Sequence, residues 1–322
     1  MSEFDLIARH FCRATPQTIL GPGDDGALLR PAPGMELAVT SDMLVAGVHF
    51  LPDADPRDLG WKTLAVNLSD LAAMGANPRW ALLALSLPTA DENWLTRFAE
   101  GLFACARTFG VDLVGGDTTS GSLNLCVTAL GEIPVGQALR RDGAQAGDDL
   151  WISGQPGLAA LGLLHLQGKT ELPEPWQTLC VKRLSAPQPR IKLGLALRPL
   201  AHAAIDISDG LLADLGHIAR RSNLKAQVRL NCLPRLPEGV SRSLALEAIL
   251  SGGDDYELGF AAPPAHRPTL ARVATELNLP LWRIGSFEAV GAGETAGEVR
   301  LLDPDGQPVA WERRGYEHFV AA

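Results

Sequence analysis

The stretch LAVNLSDLAAMGANPRWALLALSL, residues 64–87, encodes a helix, a sharp turn and a buried strand in direct succession. Apolar residues recur at helical spacing from Leu64 and Leu68 onward, and Gly75 and Pro78 supply a C-cap glycine and a stopping proline. The next segment, WALLALSL, is apolar enough to be a strand inside a sheet. A helix that leads directly into a buried strand predicts an α/β architecture.

Helix and strand patterns alternate outward from this stretch over most of the chain. Asp91 is the predicted N-cap of a helix that ends at Gly110, and the strands VDLVGGD and LNLCVTALGEI follow it. Pro, Gly, Gln and charged residues dominate between about 134 and 150, which indicates a domain boundary. We therefore predict an α/β chain of two domains, residues 1–137 and 147–322. The elements predicted in the second domain are helices near 157–168, 188–199, 209–221 and 241–250, and the strands AAIDIS, KAQVRL and YELGFAA.

The composition predicts large buried cores and excludes several functional classes. The chain has 322 residues, of which 46% are hydrophobic and 20% are charged. A net charge of −9 and an isoelectric point near 5.3 argue against a nucleic-acid-binding protein, which normally presents a basic surface. The first 13 residues lack the apolar core of a secretory signal, and the longest apolar stretch, WALLALSLP, is too short to span a bilayer. Five cysteines without C-x-x-C spacing are typical of reduced thiols, so we expect a cytoplasmic protein without a membrane partner.

A second informative stretch is LGPGDDGALL, residues 20–29, which contains the G-x-G-x-x-G pattern of dinucleotide-binding folds. That pattern requires a strand before it and a long helix after it, whereas Pro31 and Pro33 interrupt the segment that follows. The carboxylates of Asp24 and Asp25 would also repel a pyrophosphate unless a cation lay between them. The stretch is therefore either a metal-binding loop or a solvated acidic turn.

Aspartate beside glycine or serine recurs along the chain where a predicted strand or turn meets the next element. One such pair usually forms a turn or caps a helix, but the repetition favours a shared role. Carboxylates gathered at strand ends would raise one another's pKa unless cations compensate, and oxygen ligands of this kind suit Mg²⁺. The members of the series are Asp24 with Asp25, Ser41 with Asp42, the helical Asp70, Gly116 with Asp117, the run Asp206 to Gly210, and Asp254 with Asp255.

Several other catalytic motifs are absent from the sequence. It contains no P-loop, no H-R-D or D-F-G pair of protein kinases, no H-E-x-x-H and no G-x-S-x-G. The seven histidines and five cysteines show no zinc-binding spacing. His49 could donate an N–H to a substrate phosphate, although a lone histidine more often has a structural role. Arg141 could reach a nucleotide phosphate, although exposed arginines in a linker usually only aid solubility.

Seven motifs are spread over the whole chain, namely GDDGALL, TSDMLVAGVHF, AVNLSDLAAMGANP, LVGGDTT, AIDISDGLLADLGHIA, LSGGDDYEL and GYEHF. In order and spacing they resemble the motifs of bacterial thiamine-monophosphate kinases. These kinases belong to the superfamily of aminoimidazole ribonucleotide synthetase and selenophosphate synthetase. The resemblance implies a homodimer in which the sheet of an N-terminal α/β domain pairs with that of a second subunit to form a β-barrel. It also implies a C-terminal α/β domain that closes over the active site.

The same resemblance implies transfer of the γ-phosphoryl group of ATP to thiamine monophosphate, giving thiamine diphosphate, without a protein nucleophile. Bringing two polyanions together makes charge neutralisation and positioning the main tasks, which a carboxylate-held metal cluster performs. Several Mg²⁺ ions would be held by Asp25, Ser41, Asp42, Asp70, Asp117, Asp206 and Asp209. ATP would be contacted, directly or through metal, by Gly116, Asp117, Arg141 and Ser208. Thiamine monophosphate would be contacted by His49, Asp254 and Tyr316.

Two positions depart from the family pattern. Asp254 stands where the family usually has glutamate, so its contact with the substrate would be one methylene shorter. The loop SGQPGL, residues 153–158, lacks the expected Asp-Ser pair, so we expect this loop to be structural. Two other functions stay open, namely an ATP-using enzyme of the same superfamily with a different acceptor, and a catalytically inactive nucleotide-binding dimer.

Overall fold

The computed structural model describes residues 3–235, 238–312 and 315–318. The chain divides into two compact units. The N-terminal unit extends to Leu71 and includes Ala76–Ala138, and the C-terminal unit contains Ala72–Gly75 and the chain from Leu139 onward. Each unit contains one β-sheet accompanied by helices, so the α/β class predicted from the sequence is confirmed.

The N-terminal unit begins with a helix and then alternates strands with helices. The two long helices were predicted from local signals, and both are present. Its elements are α1 (Glu3–His10), β1 (Met35–Val45), α2 (Pro56–Ala73), β2 (Asn77–Leu87), α3 (Glu92–Phe109), β3 (Asp112–Ser120) and β4 (Asn124–Pro134).

Helix α3 has the ends that the sequence predicts. The Asp91 carboxylate accepts the backbone N–H groups of Asn93 and Trp94 at 2.9 and 3.0 Å, and Gly110 ends the helix with a left-handed φ of 69°. Glycines inside the helices let α2 and α3 approach closely. A Cβ on Gly60 would lie 2.0 Å from the Phe98 carbonyl oxygen, so only glycine fits there.

The four strands of the N-terminal sheet have the order β1-β4-β2-β3. Strand β4 is antiparallel to β1 and β2, whereas β3 is parallel to β2. One face of the sheet is buried and includes Leu83, Leu125 and Val127. The opposite face exposes large apolar side chains, with exposed fractions of 42% for Leu37 and 58% for Val39. This asymmetry leaves an apolar surface on the N-terminal unit.

The C-terminal unit contains a larger sheet with the order β11-β10-β7-β9-β5-β8-β6. Only the β10/β7 pair in it is parallel among the described residues. Its elements are β5 (Asp149–Ser153), α4 (Leu158–Leu166), α5 (Trp176–Ser185), α6 (Ile191–Leu197), β6 (Ala203–Ile207), α7 (Leu211–Arg221), β7 (Leu224–Arg229), α8 (Arg242–Ser251), β8 (Glu257–Ala262), α9 (Arg267–Glu276), β9 (Leu281–Ala289), β10 (Val299–Leu302) and β11 (Pro308–Val309).

Helix α7 packs on the sheet of the C-terminal unit through one apolar face. Leu211, Leu215 and Ile218 follow the i, i+4, i+7 spacing and are fully buried in one core with Ile205 and Phe287. Burying a leucine or isoleucine contributes about 1.5–3 kcal/mol relative to leaving it exposed. This packing fixes the segment between β6 and α7, which carries predicted site residues.

No helix of the described residues is long and apolar enough to cross a membrane.

Candidate functional site

The acidic loop that begins at Gly21 is closed by a short backbone bridge. Leu20 and Leu28 pair in antiparallel fashion, and the Leu28 N–H donates to the Leu20 carbonyl at 2.9 Å. The next regular element is strand β1 rather than a helix. The segment therefore lacks the strand–turn–helix frame of a dinucleotide fingerprint, as the prolines predicted. Asp25 lies exposed in this loop.

Ser41 and Asp42 lie inside β1, so the prediction that they end a strand is wrong. The strand continues to Val45 because it pairs with β4 along its whole length. Successive side chains of a strand point to opposite faces, and here Ser41 is exposed whereas Asp42 is half-buried. The Ser41 hydroxyl lies 3.0 Å from the Thr128 hydroxyl.

Helix α2 runs beside β1 and holds the strand at two points. The Asn67 side chain accepts the Asp42 N–H at 2.9 Å, and the Asp70 carboxylate accepts the Thr40 hydroxyl. Asp70 is half-buried. The half-buried Asp70 of α2 is therefore bonded to the edge strand β1 at Thr40, two residues before the half-buried Asp42. The contact of Asn67 with β1 could have been recognised from the sequence, because Asn67 lies three residues before Asp70 on the same face of the helix.

His49 lies in the turn that follows β1. Its ring Nδ1 accepts the Val45 backbone N–H at 3.0 Å, and its backbone N–H donates to the Val45 carbonyl at 3.0 Å. An Nδ1 that accepts a hydrogen bond places the proton of the neutral ring on Nε2. The buried Lys62 of α2 donates to the His49 carbonyl at 3.4 Å. The turn therefore holds His49 in the tautomer whose Nε2–H can donate to a phosphate oxygen.

Gly116 and Asp117 lie inside β3 at the other edge of the sheet, so their predicted place at a strand end is also wrong. Gly116 has a φ of 150°, and a Cβ there would lie 1.8 Å from the Leu83 carbonyl oxygen, so glycine is required. Asp117 is exposed. Strands β1 and β3 are separated by β4 and β2, so Asp42 and Asp117 are about 14 Å apart along the sheet. The sheet does not bring these two carboxylates into contact.

The segment after β6 and the segment before β8 pack against each other in the C-terminal unit. The Asp254 N–H donates to the Ser208 carbonyl, and the Tyr256 N–H donates to the Ile207 carbonyl, both at 2.8 Å. Asp254 and Tyr256 have left-handed φ angles of 67° and 51°, which is a strained conformation for residues other than glycine. The Tyr256 hydroxyl donates to the Asp254 carboxylate at 3.0 Å. Asp206 is buried at the end of β6.

Tyr316 joins this group through its backbone. Its N–H donates to the Asp209 carbonyl at 2.9 Å. Its ring is half exposed and borders a cleft of about 700 Å³ that is also lined by Asp209, His217 and Trp311. Phe319, the last residue of the GYEHF motif, lies outside the described residues. Ser208, Asp209, Asp254 and Tyr316 are thus gathered in one region of the C-terminal unit.

The electrostatics of this region favour a cation. Burial raises the pKa of Asp209, and the neighbouring Asp254 raises it further, whereas His318, His217 and Arg141 lower it. Burial and the Asp209 carboxylate also raise the pKa of Asp214 to about 7, against the lowering effect of three backbone N–H donors. A bound cation would lower the pKa of Asp209 and keep it charged. Arg141 is exposed, and its charge acts on both Asp209 and His217.

The donor set agrees with Mg²⁺ in its chemistry. The predicted ligands are carboxylates and a hydroxyl, which are the oxygen donors that this ion prefers. Within the ranges that the structure describes, no three histidine, cysteine, aspartate or glutamate side chains converge into a ready-made metal site. Mg²⁺ commonly keeps several waters and binds through one or two carboxylates and substrate phosphates, so scattered carboxylates fit it.

The loop expected to be structural is held by a buried ionic network that sequence reasoning missed. Gly154 has a φ of 61°, and a Cβ there would lie 2.0 Å from the Glu257 carboxylate. Asp255 accepts the Gly157 N–H at 2.7 Å, at the start of α4. Burial raises the pKa of Asp255 well above its ordinary value, and Glu257 adds to the effect. The carboxylates of Asp255 and Glu257 therefore occupy the space beside this loop.

Comparisons with known proteins cover the whole chain. Residues 23–133 match the N-terminal domain, and residues 145–297 the C-terminal domain, of AIR synthase related proteins. A thiamine-monophosphate kinase from Salmonella typhimurium is 45% identical over 99% of this chain and 98% of its own length. The solved structure of a thiamine-monophosphate kinase from Stenotrophomonas maltophilia has a TM-score of 0.85 and 49% identity, covering 96% of this chain and 98% of its own. The structure of AaThiL complexed with AMPPCP and TMP has a TM-score of 0.76 and 31% identity, with 98% and 96% covered.

Proposed function

The chain belongs to the thiamine-monophosphate kinase family, and from that membership we propose that it phosphorylates thiamine monophosphate with ATP. The observation that carries the proposal is the gathering of Ser208, Asp209, Asp254 and Tyr316, which come from three separate segments. These are positions to which the resemblance of the motifs assigns contacts with nucleotide, metal or acceptor. The related AaThiL was solved with AMPPCP and TMP together, which supports ATP and thiamine monophosphate as the two substrates.

We propose that the reaction forms a bond between the γ-phosphorus of ATP and an acceptor phosphate oxygen as the bond to ADP breaks. The acceptor oxygen is already ionised at pH 7, so no protein base is needed. His49 would donate its Nε2–H to the acceptor phosphate, and the ring of Tyr316 would lie against the aromatic part of the acceptor. Arg141 would contact a phosphate of ATP. Gly116, Asp117 and Ser208 would also contact ATP, directly or through metal.

We propose that several carboxylates and one hydroxyl of the chain hold Mg²⁺ for this reaction. The ions would neutralise the phosphate charges of the two substrates. The residues assigned to this role are Asp25, Ser41, Asp42, Asp70, Asp117, Asp206 and Asp209.

The activity test measures thiamine diphosphate formed from ATP and Mg²⁺, with thiamine monophosphate in one sample and free thiamine in another. We expect product only from the monophosphate. ATP binding without product from either acceptor would contradict the proposal and favour an inactive nucleotide-binding protein. Consumption of ATP with a different acceptor would favour another enzyme of the superfamily.

Two substitutions test the assigned roles. Asp42→Ala should strongly reduce turnover, most of all at limiting Mg²⁺, and should change the melting temperature only slightly. Unchanged turnover at limiting Mg²⁺ would contradict the role of Asp42. His49→Ala should mainly raise the KM for thiamine monophosphate. His165→Ala is the matched control, because His165 also accepts a backbone N–H on Nδ1, at 3.4 Å, and has no assigned role. An effect of His49→Ala confined to ATP would contradict its assignment.

We also propose that the chain forms a homodimer through the apolar face of its N-terminal sheet. Leu37, Val39 and Met43 are 42%, 58% and 53% exposed on one face of β1. A face of this kind marks a protein contact more often than a solvated surface. Val39→Asp should convert a dimer to a monomer in light scattering, whereas Leu166→Asp, at a similarly exposed position of the C-terminal unit, should not. A Val39→Asp variant that stays dimeric would refute the assignment.

The five free thiols agree with a cytoplasmic location.

A further inference from the structure

One buried carboxylate binds three consecutive backbone N–H groups beside the residues assigned to ATP and metal. Asp214 is 3% exposed and lies in the first turn of α7. Its Oδ2 accepts the N–H groups of Ser208, Asp209 and Gly210 at 3.1, 3.1 and 3.2 Å. The segment Ser208 to Gly210, here called the 208–210 loop, is therefore organised around an aspartate to which the sequence assigned no role.

These three donors are of the kind that commonly binds phosphate. A helix N-terminus presents unpaired N–H groups and a partial positive charge, which together attract anions. In this protein the carboxylate of Asp214 already occupies them. A phosphate of ATP that approached the loop would compete with the Asp214 oxygen for the same three donors, so these N–H groups are not available to it.

The carbonyl groups of the same loop are fixed by the two segments that carry the other assigned residues. The Ser208 carbonyl accepts the Asp254 N–H at 2.8 Å, and the Asp209 carbonyl accepts the Tyr316 N–H at 2.9 Å. Asp214 thus holds the donor side of the loop, and the Asp254 and Tyr316 segments hold its acceptor side. Movement of Asp214 would release a loop to which the other two segments are anchored.

We propose that Asp214 is a positioning residue that directs the side chains of Ser208 and Asp209, instead of the N-terminus of α7, toward nucleotide and metal. This inference rests on the proposed function, since it takes the roles of Ser208 and Asp209 from it. The outer partner of a metal ligand typically changes metal affinity by about 10- to 100-fold when it is removed.

The test compares Asp214→Ala with Asp214→Asn in the full-length chain. Asparagine keeps a side-chain oxygen that can accept the three N–H groups, whereas alanine removes it. Mn²⁺ binding is measured by electron paramagnetic resonance of the free ion in the presence of a non-hydrolysable ATP analogue, which requires no turnover. We expect Mn²⁺ affinity to fall at least tenfold in Asp214→Ala and to stay within threefold of the parent in Asp214→Asn. Asp214→Ser, whose hydroxyl is too short to reach all three donors, replaces the alanine variant if that variant does not fold.

Asp148→Ala is the matched control. Asp148 is also 3% exposed and accepts a backbone N–H, that of Gln145, at 2.8 Å. It immediately precedes β5, far from the 208–210 loop, because its neighbour Asp149 pairs with Ala262 at one end of β8 whereas Ile207, next to that loop, pairs with Glu257 at the other end. We expect this control to lower the melting temperature without changing Mn²⁺ affinity.

Two outcomes would overturn the inference. Parental Mn²⁺ affinity in a folded Asp214→Ala protein would show that Asp214 only stabilises the helix. Equal loss in Asp214→Asn and Asp214→Ala would show that the charge matters rather than the accepted hydrogen bonds. If the parent protein forms no thiamine diphosphate but the Mn²⁺ affinities change as expected, the proposed function fails while the role of Asp214 stands.

Discussion

The ion pair between Arg190 and Glu257 allows a quantitative prediction about stability. Arg190 Nε donates to Glu257 Oε2 at 2.6 Å, and a second bond joins Nη2 to Oε1. The Ser153 hydroxyl donates to the same carboxylate at 2.6 Å. Glu257 is 3% exposed, so its charge depends on these donors instead of on water. Burial alone would lower the pKa of Arg190, but Glu257 raises it above its ordinary value.

Arg190→Met removes the bonded cation and leaves Glu257 buried with the Ser153 hydroxyl as a donor and with the charge of Arg183 nearby. Breaking a buried pair by removing one partner costs about 3–5 kcal/mol, because the remaining charge is uncompensated. For a folding unit of roughly 150–250 residues, each kcal/mol lowers the melting temperature by about 2–4 °C, so we expect a fall of about 6–20 °C.

The assay is calorimetric melting of the full-length chain, with two further variants measured beside Arg190→Met. Arg140→Met breaks the exposed pair with Asp142 and should cost less than about 1 kcal/mol. Glu257→Gln added to Arg190→Met removes the buried charge and should recover part of the loss. Equal costs for Arg190→Met and Arg140→Met, or no recovery in the double variant, would refute the reasoning.

Three further predictions concern other parts of the chain. Gly116→Ala should cost more than about 1 kcal/mol and weaken ATP binding in a titration, whereas Gly26→Ala, with open space around it, should do neither. Burial alone would raise the pKa of Asp149, but its bond to Arg267 lowers that pKa below 3.8. Arg267→Gln should therefore reduce the free energy of unfolding. The reduction should be complete above about pH 4 and should vanish as the pH falls through the lowered pKa of Asp149. Asp91→Ala should cost about 1 kcal/mol in urea unfolding, and a cost near zero would contradict its capping role.

The sequence predicts the elements whose stabilising signals are local. Helix α3 is recognisable because its apolar face, its N-cap at Asp91 and its C-cap at Gly110 all lie within one segment. Strand β9 escapes prediction because Arg283 and Gly285 interrupt its alternation, and its stability comes from pairing with both β5 and β7. Its pairing with β5 also contains a bulge, which no local pattern announces.

The site is only partly predictable for the same reason. Motifs identify Asp42, Asp209 and Asp254 as chemically interesting, because aspartate beside glycine or serine is visible in the sequence. Which groups touch is set by the fold. Asp214 looks like an ordinary helical residue until the 208–210 loop turns back over it, and the opposite directions of Ser41 and Asp42 appear only once β1 is paired.

Side chains along β1 alternate between the two faces of the sheet. Correct strand pairing is therefore a condition for both proposed roles of β1, dimerisation and Mg²⁺ binding. A slip of one residue would place Asp42 on the apolar face and Met43 on the side of α2, so assembly and metal binding would fail together. Asp70 opposes that error, because its bond to the Thr40 hydroxyl forms only in the correct pairing, whereas Asn67 accepts a backbone N–H that any residue at that position would supply. Helix α2 thereby stabilises the correct register of β1 in the sheet. Substitution of Asp70 should increase the fraction of chains that misfold during synthesis, even where the melting temperature of the correctly folded protein is unchanged.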